Sequence, residues 1–284
     1  MSGPRAASPE ASHTNQTFGR FLRFWRELHG LSQEQLAERI NSSARHIRRL
    51  ETGAGQPSAG MVEDIANTLQ LGARDRNHLR IAAGFHVQEA PVDFHSPGLR
   101  WLRNAMRLTL KAQNPYPGLL MDRAGDILMV NRAWVNFHRQ LLSAEALDQV
   151  TNLFSFLFSH SQLIKDSGAD TMALILMALK QNALFSNAEG DIAAFEHYLQ
   201  SPAAPADWQR RAAALEPMAS YRLHLPFNGQ SQRFYSVSQT VGALGPAAFL
   251  AEPRLTLTTL YPEDASLDLS ALMTEPHKHP LLVD

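Results

Sequence analysis

The chain has 284 residues, which at about 100–200 residues per domain predicts two domains. It has no cysteine, and this excludes disulfide frameworks, thiolate zinc sites and cysteine nucleophiles. The net charge of −1 is the sum of two unlike parts, because residues 1–86 carry +3, with eleven arginines and no lysine, and the rest carries −4. Arginine is well suited to phosphate and guanine contacts, so the first part is compatible with nucleic-acid binding.

The first 16 residues are rich in serine, alanine and proline and have no apolar segment. They are expected to form a disordered tail and do not resemble a secretory signal. No run of about 18 uncharged apolar residues occurs, so no membrane span is expected. A cytoplasmic location fits the absence of cysteine.

Apolar residues at helical spacing predict five helices between residues 17 and 86. Ser32 with Gln35 forms a capping-box pattern before the second helix, and Ser42 or Ser43 caps the third. The expected helices are Thr17–His29, Gln33–Ile40, Ala44–Thr52, a fourth opened by Pro57-Ser58, and Asp75–Ala83. Two short helices joined by a tight turn form the layout of a helix-turn-helix, whose second helix enters the major groove of DNA.

The segment LSQEQLAERINSSARHIRRLETGAGQPS, followed by MVEDIANTLQLGARDRNHLRIAAGF, resembles the five-helix domain of phage repressors and xenobiotic-response-element-type regulators. The resemblance implies a phosphate contact for Gln33, whose alternative role is that of a capping-box neighbour. It also implies a partly buried ion pair between Arg26 and Glu51. The residues expected to face DNA on the recognition helix are Ser43, Ala44, Arg45 and Arg49, with Arg48 beside them. The alternative for Arg48 and Arg49 is contact with phosphate or solvent alone.

An expected linker at residues 87–96 precedes a domain with strands at both ends. The pattern predicts a helix at Leu99–Ala112 and an unusually apolar helical region between Asn152 and Leu199. Asn228-Gly229 is a strong hairpin signal. The predicted strands are Leu119–Asp122, Asp126–Val130, Tyr221–Pro226, Arg233–Val241 and Leu255–Leu260. The fold class is therefore multidomain: an all-α five-helix helix-turn-helix domain (17–86), followed by an α+β PAS-like domain with an antiparallel sheet (97–270). Residues 271–284, including His277-Lys278-His279, are expected to be a C-terminal tail.

Residues 95–270 resemble the ligand-binding domain of MmyB-like regulators. The motifs that carry the resemblance are Ser96-Pro97-Gly98-Leu99, Pro115-Tyr116-Pro117-Gly118-Leu119-Leu120, Gly125-Asp126-Ile127-Leu128, Asn131-Arg132-Ala133-Trp134, Asn152-Leu153 with His160, and Leu260-Tyr261-Pro262-Glu263-Asp264. One departure is that Ser161 follows His160 where the family usually has proline. The resemblance implies an apolar pocket that takes a long-chain fatty acid.

Two sets of residues are candidates for this pocket. The wall candidates are Trp134, Phe137, Phe154, Phe158, Met172, Leu176, Met177 and Phe185. Arg132, His160 and Arg222 are candidates for binding a carboxylate head. The alternative for every apolar member is that it belongs to the core of an α+β domain. Asn131 is as compatible with ending a strand as with contacting a ligand.

The chain has no His-Glu-x-x-His, no Gly-x-Ser-x-Gly and no phosphate-binding loop. The sequence therefore predicts no catalytic residue, no metal, no cofactor and no enzyme. It predicts a cytoplasmic transcriptional regulator that binds a double-stranded DNA operator and a small apolar ligand, and that dimerises. The alternative is an interaction scaffold whose helix-turn-helix no longer binds DNA.

Overall fold

The computed structural model of the protein describes residues 9–85, 93–164, 167–186, 189–215, 220–242, 254–274 and 278–283. These residues form two compact units, one containing residues up to 85 and the other containing residues 93–241 and 254–283. The first unit is all-helical and the second combines helices with one sheet, so the predicted fold class is confirmed.

The first unit contains all five predicted helices within one or two residues of the expected ends, except for the start of the first. That helix begins at Pro9, so the prediction that residues 9–16 belong to a disordered tail is wrong. These residues have no apolar periodicity to reveal a helix, but extending a helix that is already nucleated costs little. The helices are α1 (Pro9–Leu28), α2 (Gln33–Arg39), α3 (Ala44–Glu51), α4 (Ala59–Thr68) and α5 (Ala73–Ala82).

Serine side chains begin three of these helices, as the sequence predicts. Ser32 accepts a hydrogen bond from the Gln35 backbone N–H, and the Gln35 side chain accepts one from the Ser32 N–H, which completes the capping box. Ser43 caps α3 and Ser58 caps α4, each by accepting a hydrogen bond from a backbone N–H three residues on. These caps satisfy N–H groups that a helix start otherwise leaves without partners.

The crossing of α1 over the end of α3 depends on Gly19. A methyl group at this position would lie 2.4 Å from the carbonyl oxygen of Leu50 and 2.6 Å from that of Glu51. Both atoms belong to backbone and cannot swing aside, so glycine permits a helix approach that a larger residue would block. The approach brings Arg23 and Arg26 of α1 beside Glu51.

The second unit is built on a five-stranded antiparallel sheet with the strand order β2-β1-β5-β4-β3. Asn228 and Gly229 have φ angles of 52° and 75°, as a tight hairpin between two of these strands requires. The strands are β1 (Gly118–Met121), β2 (Ile127–Val130), β3 (Ser220–Phe227), β4 (Gln230–Val241) and β5 (Leu255–Pro262). All five predicted strands are therefore present.

Helices cover both faces of this sheet. On one face, α6 and the buried Phe94 pack against Leu120 and Leu257. On the other face, side chains from α7, α9, α10, α11 and α12 pack against Leu223 and Phe234. The helices are α6 (Arg100–Ala112), α7 (Arg132–Arg139), α8 (Ala144–Asp148), α9 (Leu153–Ser159), α10 (Gly168–Ser186), α11 (Glu189–Leu199) and α12 (Trp208–Ala214). None of the described helices has the length and hydropathy needed to span a bilayer.

Two segments expected to be linker or tail pack onto the second unit. Phe94 is buried, and Arg103 donates hydrogen bonds to the carbonyl oxygens of Phe94 and Ser96, both at 2.6 Å. Near the other end, the backbone of Val130 bonds to Leu281 and Val283 at 2.8 and 2.9 Å. Because β2 is an edge strand, residues 281–283 supply partners that its backbone otherwise lacks.

His279 is buried in the same segment, and its Nε2 lies 3.2 Å from the carbonyl oxygen of Leu147. The described residues 278–283 are thus part of the packed unit, and the prediction of a tail is wrong for them. His277 lies outside the described residues.

Candidate functional site

Helix α3 presents arginine on one side and apolar residues on the other. Ile47 and Leu50 are fully buried in the helical core, whereas Arg45, Arg48 and Arg49 are exposed. This separation follows from the 3.6-residue period of the helix. Ser43 and Ala44 lie at the start of α3, where Ser43 is the cap. The residues predicted to face DNA therefore form one surface, running from the start of α3 along its exposed side.

The three arginines differ in whether their guanidinium groups already have a hydrogen-bond partner within the protein. The Arg49 guanidinium donates to the carbonyl oxygen of Ala54 at 3.2 Å. Within the part of the chain that the structure describes, the guanidinium groups of Arg45 and Arg48 have no hydrogen-bond or ion-pair partner. Arg45 stands in the first turn of the helix, the part of a recognition helix from which side chains reach base edges.

Gln33 lies at the start of α2 and is half-buried. Its Nε2 donates to the Glu51 carboxylate at 2.8 Å, so it supports the end of α3. An amide nitrogen carries two hydrogens, and one therefore remains for a phosphate oxygen. The predicted phosphate contact and a supporting role are compatible in the same side chain.

The predicted ion pair between Arg26 and Glu51 is confirmed. The Arg26 guanidinium meets both carboxylate oxygens, at 2.5 and 3.1 Å, and also donates to the Leu31 carbonyl oxygen at 2.7 Å. Burial of Glu51 acts to raise its pKa, but hydrogen bonds from Arg26 and Gln33 outweigh it and hold the pKa below the ordinary range. The ionised pair ties α1 to the end of the arginine-bearing helix.

Residues 17–79 match the sequence model of a family described as a helix-turn-helix domain. A search of curated proteins finds no significant match to the chain. The match, the five helices and the exposed arginines agree with one another. The chain therefore carries an N-terminal helix-turn-helix DNA-binding domain.

The second unit contains an apolar cavity of about 110 Å³ between the sheet and helices α7, α9 and α10. Its floor is formed by strand residues that include Leu119, Tyr221, Leu223, Ser236 and Leu260. Apolar and aromatic side chains make most of the wall, as is usual for small-molecule sites. The cavity is of the order of the roughly 150 Å³ that holds one benzene in an engineered protein core.

Four of the predicted ligand residues line this cavity, namely Trp134, Phe137, Phe154 and His160. Phe158, Met172 and Leu176 are buried in the hydrophobic core and do not line it. Met177 is half-buried against the same core, so the alternative interpretation as core applies to these residues. The side chain of Phe185 lies outside the described part of the chain.

Neither arginine predicted to bind a carboxylate lines the cavity. Side chains alternate along β3, so Tyr221 and Leu223 face the cavity while Arg222 faces away from it. Arg222 is 64% exposed and pairs with Glu263 at 3.4 Å. Arg132 is half-buried at the start of α7 and is absent from the cavity wall.

Apart from His160, the polar members of the wall were not predicted from the sequence. These are His138, Tyr221, Ser236, Ser238 and Thr258. Side chains alternate between the two faces of the predicted strand at 221–226, so Tyr221 could have been assigned to the face that does not carry Arg222. No comparable signal identified His138, Ser236, Ser238 or Thr258. Among the described residues, no group of three or more histidines and carboxylates is placed to hold a metal ion.

His138 lies in the cavity wall with its Nδ1 2.8 Å from the Trp134 carbonyl oxygen. Burial lowers its pKa from 6.5 to about 4, and the nearby His279 acts in the same direction. The folded protein therefore holds this imidazole neutral at pH 7, with the Nδ1 hydrogen available to the carbonyl.

Acidification is expected to destabilise the second unit between pH 6.5 and pH 4. In this window the unfolded chain binds a proton at His138 that the folded chain does not, so stability falls as the pH falls. A shift from 6.5 to about 4 corresponds to at most about 3 kcal/mol. The lost free energy of unfolding is measured by urea unfolding of the full chain, with hydrogen exchange of the β4 and β5 amides as the signal.

The variant His138→Gln should lose much less stability over the same pH range, because glutamine does not titrate. His197→Gln removes an exposed histidine on α11 and should leave the pH dependence of the parent chain in place. Equal acid sensitivity in the parent chain and in His138→Gln would contradict the assignment.

Proposed function

We propose that the chain is a sequence-specific DNA-binding transcriptional regulator that acts as a homodimer in the cytoplasm. The observation that carries the proposal is the surface of α3, where Arg45 and Arg48 are exposed and Arg45 stands in the first turn. A single helix-turn-helix contacts few base pairs, and a two-fold partner provides a second half-site about one DNA turn away. Homodimerisation is a part of the proposal that sedimentation of the full chain tests.

We infer further that the second unit is a PAS-like domain that binds a small apolar effector. Support comes from its element order of two strands, helices and three strands, and from the apolar cavity that meets this sheet. A fatty acid is the effector that the resemblance to MmyB-like regulators implies. An effector alters DNA affinity only if it binds one conformation more tightly than another. Native mass spectrometry of the purified chain tests whether such a molecule is carried.

The variant Arg45→Ala is expected to weaken binding to the selected operator about 5- to 150-fold and to relax sequence preference at one position. This is the usual effect of losing a bidentate contact to a base edge. Arg48→Ala should weaken binding to all duplexes by similar factors, because a phosphate contact carries no sequence information. The operator is obtained by selecting random duplexes on the full chain, and affinity is measured by fluorescence anisotropy at several salt concentrations.

Arg74→Ala is a matched control, since it removes an exposed arginine of α5 that pairs with its neighbour Asp75. It should leave both affinity and sequence preference unchanged. A uniform loss for Arg45→Ala on all duplexes would contradict base contact by that residue. Failure of the parent chain to select any duplex, or binding without salt dependence, would favour the interaction scaffold instead.

A further inference from the structure

The polar side chains in the cavity wall belong to two kinds, namely uncharged hydroxyls and histidine imidazoles. They comprise the hydroxyls of Tyr221, Ser236, Ser238 and Thr258, and the imidazoles of His138 and His160. Arginine, lysine, aspartate and glutamate are absent from the wall formed by the described residues. The composition of the wall bears directly on which head group the site accepts.

The four hydroxyls form two hydrogen-bonded pairs across the sheet. Ser238 and Thr258 stand opposite each other on β4 and β5, and their oxygens lie 3.1 Å apart, so they hydrogen-bond to each other. Tyr221 and Ser236 stand opposite each other on β3 and β4, also face the cavity, and hydrogen-bond to each other. When the Ser236 hydroxyl donates to the phenol oxygen, the phenol hydrogen is left for a ligand. Burial raises the pKa of Tyr221, so the phenol keeps its proton and acts as a donor.

One of the two imidazoles is held without a positive charge. His138 stays neutral at pH 7 because burial lowers its pKa to about 4. The Nδ1 of His160 lies 3.1 Å from the Phe156 carbonyl oxygen, an arrangement in which Nδ1–H donates and Nε2 is left as an acceptor.

An ionised carboxylate in such a site would lose its hydration without gaining a counter-charge. Burial of an unpaired charge is among the costliest events in a protein interior. A hydroxyl or carbonyl group needs only one or two hydrogen bonds to offset its loss of water. The wall offers both a donor, at Tyr221, and an acceptor, at the His160 Nε2.

We propose that the effector is a neutral apolar molecule with a hydroxyl or carbonyl head, such as an alcohol, ketone or ester, and not an ionised fatty acid. This inference rests on the proposed effector function of the second unit and narrows its ligand class. The head group bonds to Tyr221 and Ser236, and the apolar part lies among Phe137, Phe154 and Leu223. A cavity of about 110 Å³ favours a short chain, since longer ones require the helices to part.

The test is isothermal titration calorimetry of the full chain with four eight-carbon probes at pH 8. The probes are 1-octanol, 2-octanone, octanoate and 1-chlorooctane, whose chlorine is a poor hydrogen-bonding group. At this pH octanoate is ionised and an unperturbed imidazole is neutral. We expect the alcohol and the ketone to bind at least about tenfold more tightly than octanoate.

Tyr221→Phe identifies the head-group contact. It should weaken the binding of octanol and octanone about five- to tenfold, as loss of one hydrogen bond predicts, and leave 1-chlorooctane unchanged. Tyr235→Phe makes the same chemical change on the opposite face of the sheet, where the hydroxyl meets Glu263 at 3.2 Å. This control should leave the affinity for all four probes unchanged.

Octanoate binding as tightly as octanol, or more tightly, would overturn the neutral-head inference while leaving the effector function standing. Binding of none of the four probes, and of none of the shorter alcohols from butanol to heptanol, would overturn the effector function as well.

Discussion

Arg26→Met is expected to lower the free energy of unfolding of the helix-turn-helix domain by about 3–5 kcal/mol. The Glu51 side chain is fully buried, and Arg26 is its closest partner, with two guanidinium–carboxylate contacts. Removing the guanidinium leaves a buried carboxylate with only Gln33 at 2.8 Å and the half-exposed Arg23 at 3.4 Å. Loss of this magnitude approaches the whole stability of a small domain, so DNA binding should be lost too.

The double variant Arg26→Met/Glu51→Met is the control that distinguishes the cost of an unpaired buried carboxylate from the cost of lost packing. Apolar residues of similar volume often replace a buried ion pair at little cost, so the double variant should regain most of the stability. Hydrogen exchange of the α3 amides in the full chain measures both changes. A double variant as unstable as Arg26→Met would show that the loss comes from packing of the arginine stem and not from an unpaired charge.

The same pair predicts an acid response of the first unit. The pKa of Glu51 lies below its ordinary value, so the pair contributes stability that is present above about pH 4.5 and is lost as the pH falls through the folded pKa. The double variant should lack this part of the acid response, because it has no carboxylate to titrate.

Local signals explain why the first unit was predicted well. Ser32 with Gln35, Ser43 and Ser58 are helix starts that can be identified from a few neighbouring residues, and each forms the expected cap. The role of Gly19 depends on a contact with Leu50, 31 positions away, and nothing near Gly19 in the sequence indicates it. Periodicity therefore identified the helices, whereas the close crossing that positions Arg26 needed the structure.

The cavity was only partly predictable, for a related reason. Apolar composition marks Phe154 and Met172 alike, but only Phe154 faces the cavity, because core and wall are distinguished by helix rotation and not by residue type. Strand alternation alone would have removed Arg222 from the candidates. The facing of Tyr221 and Ser236 depends on the register between β3 and β4, and single-strand patterns do not contain that register.

Asn131, for which the sequence indicated either a ligand contact or a strand end, instead holds three elements of the second unit together. It is fully buried between β2 and α7. Its Oδ1 accepts from the backbone N–H groups of Gly118 and Trp134, both at 2.9 Å, and so caps α7. Its Nδ2 donates to the carbonyl oxygens of Leu110 at 3.2 Å and Tyr116 at 2.9 Å. One amide thus connects α6, β1 and α7, and all of its hydrogen-bonding groups are in use.

Asn131→Ala is therefore expected to cost the second unit about 3 kcal/mol or more. Loss of the cap accounts for about 1 kcal/mol, and the Gly118 N–H and the Tyr116 carbonyl, left without this partner, each add about 1–3 kcal/mol. The Leu110 carbonyl keeps a hydrogen bond from the Gln113 backbone N–H at 3.3 Å. Ser143→Ala is the matched control, since Ser143 caps α8 through one bond to Ala146 N–H at 3.2 Å and should cost about 1 kcal/mol. The two variants are compared by urea unfolding of the full chain, with tryptophan fluorescence as the signal. Similar losses in both variants would mean that Asn131 acts as a helix cap and that its bonds to Leu110 and Tyr116 add no stability, because water then replaces them.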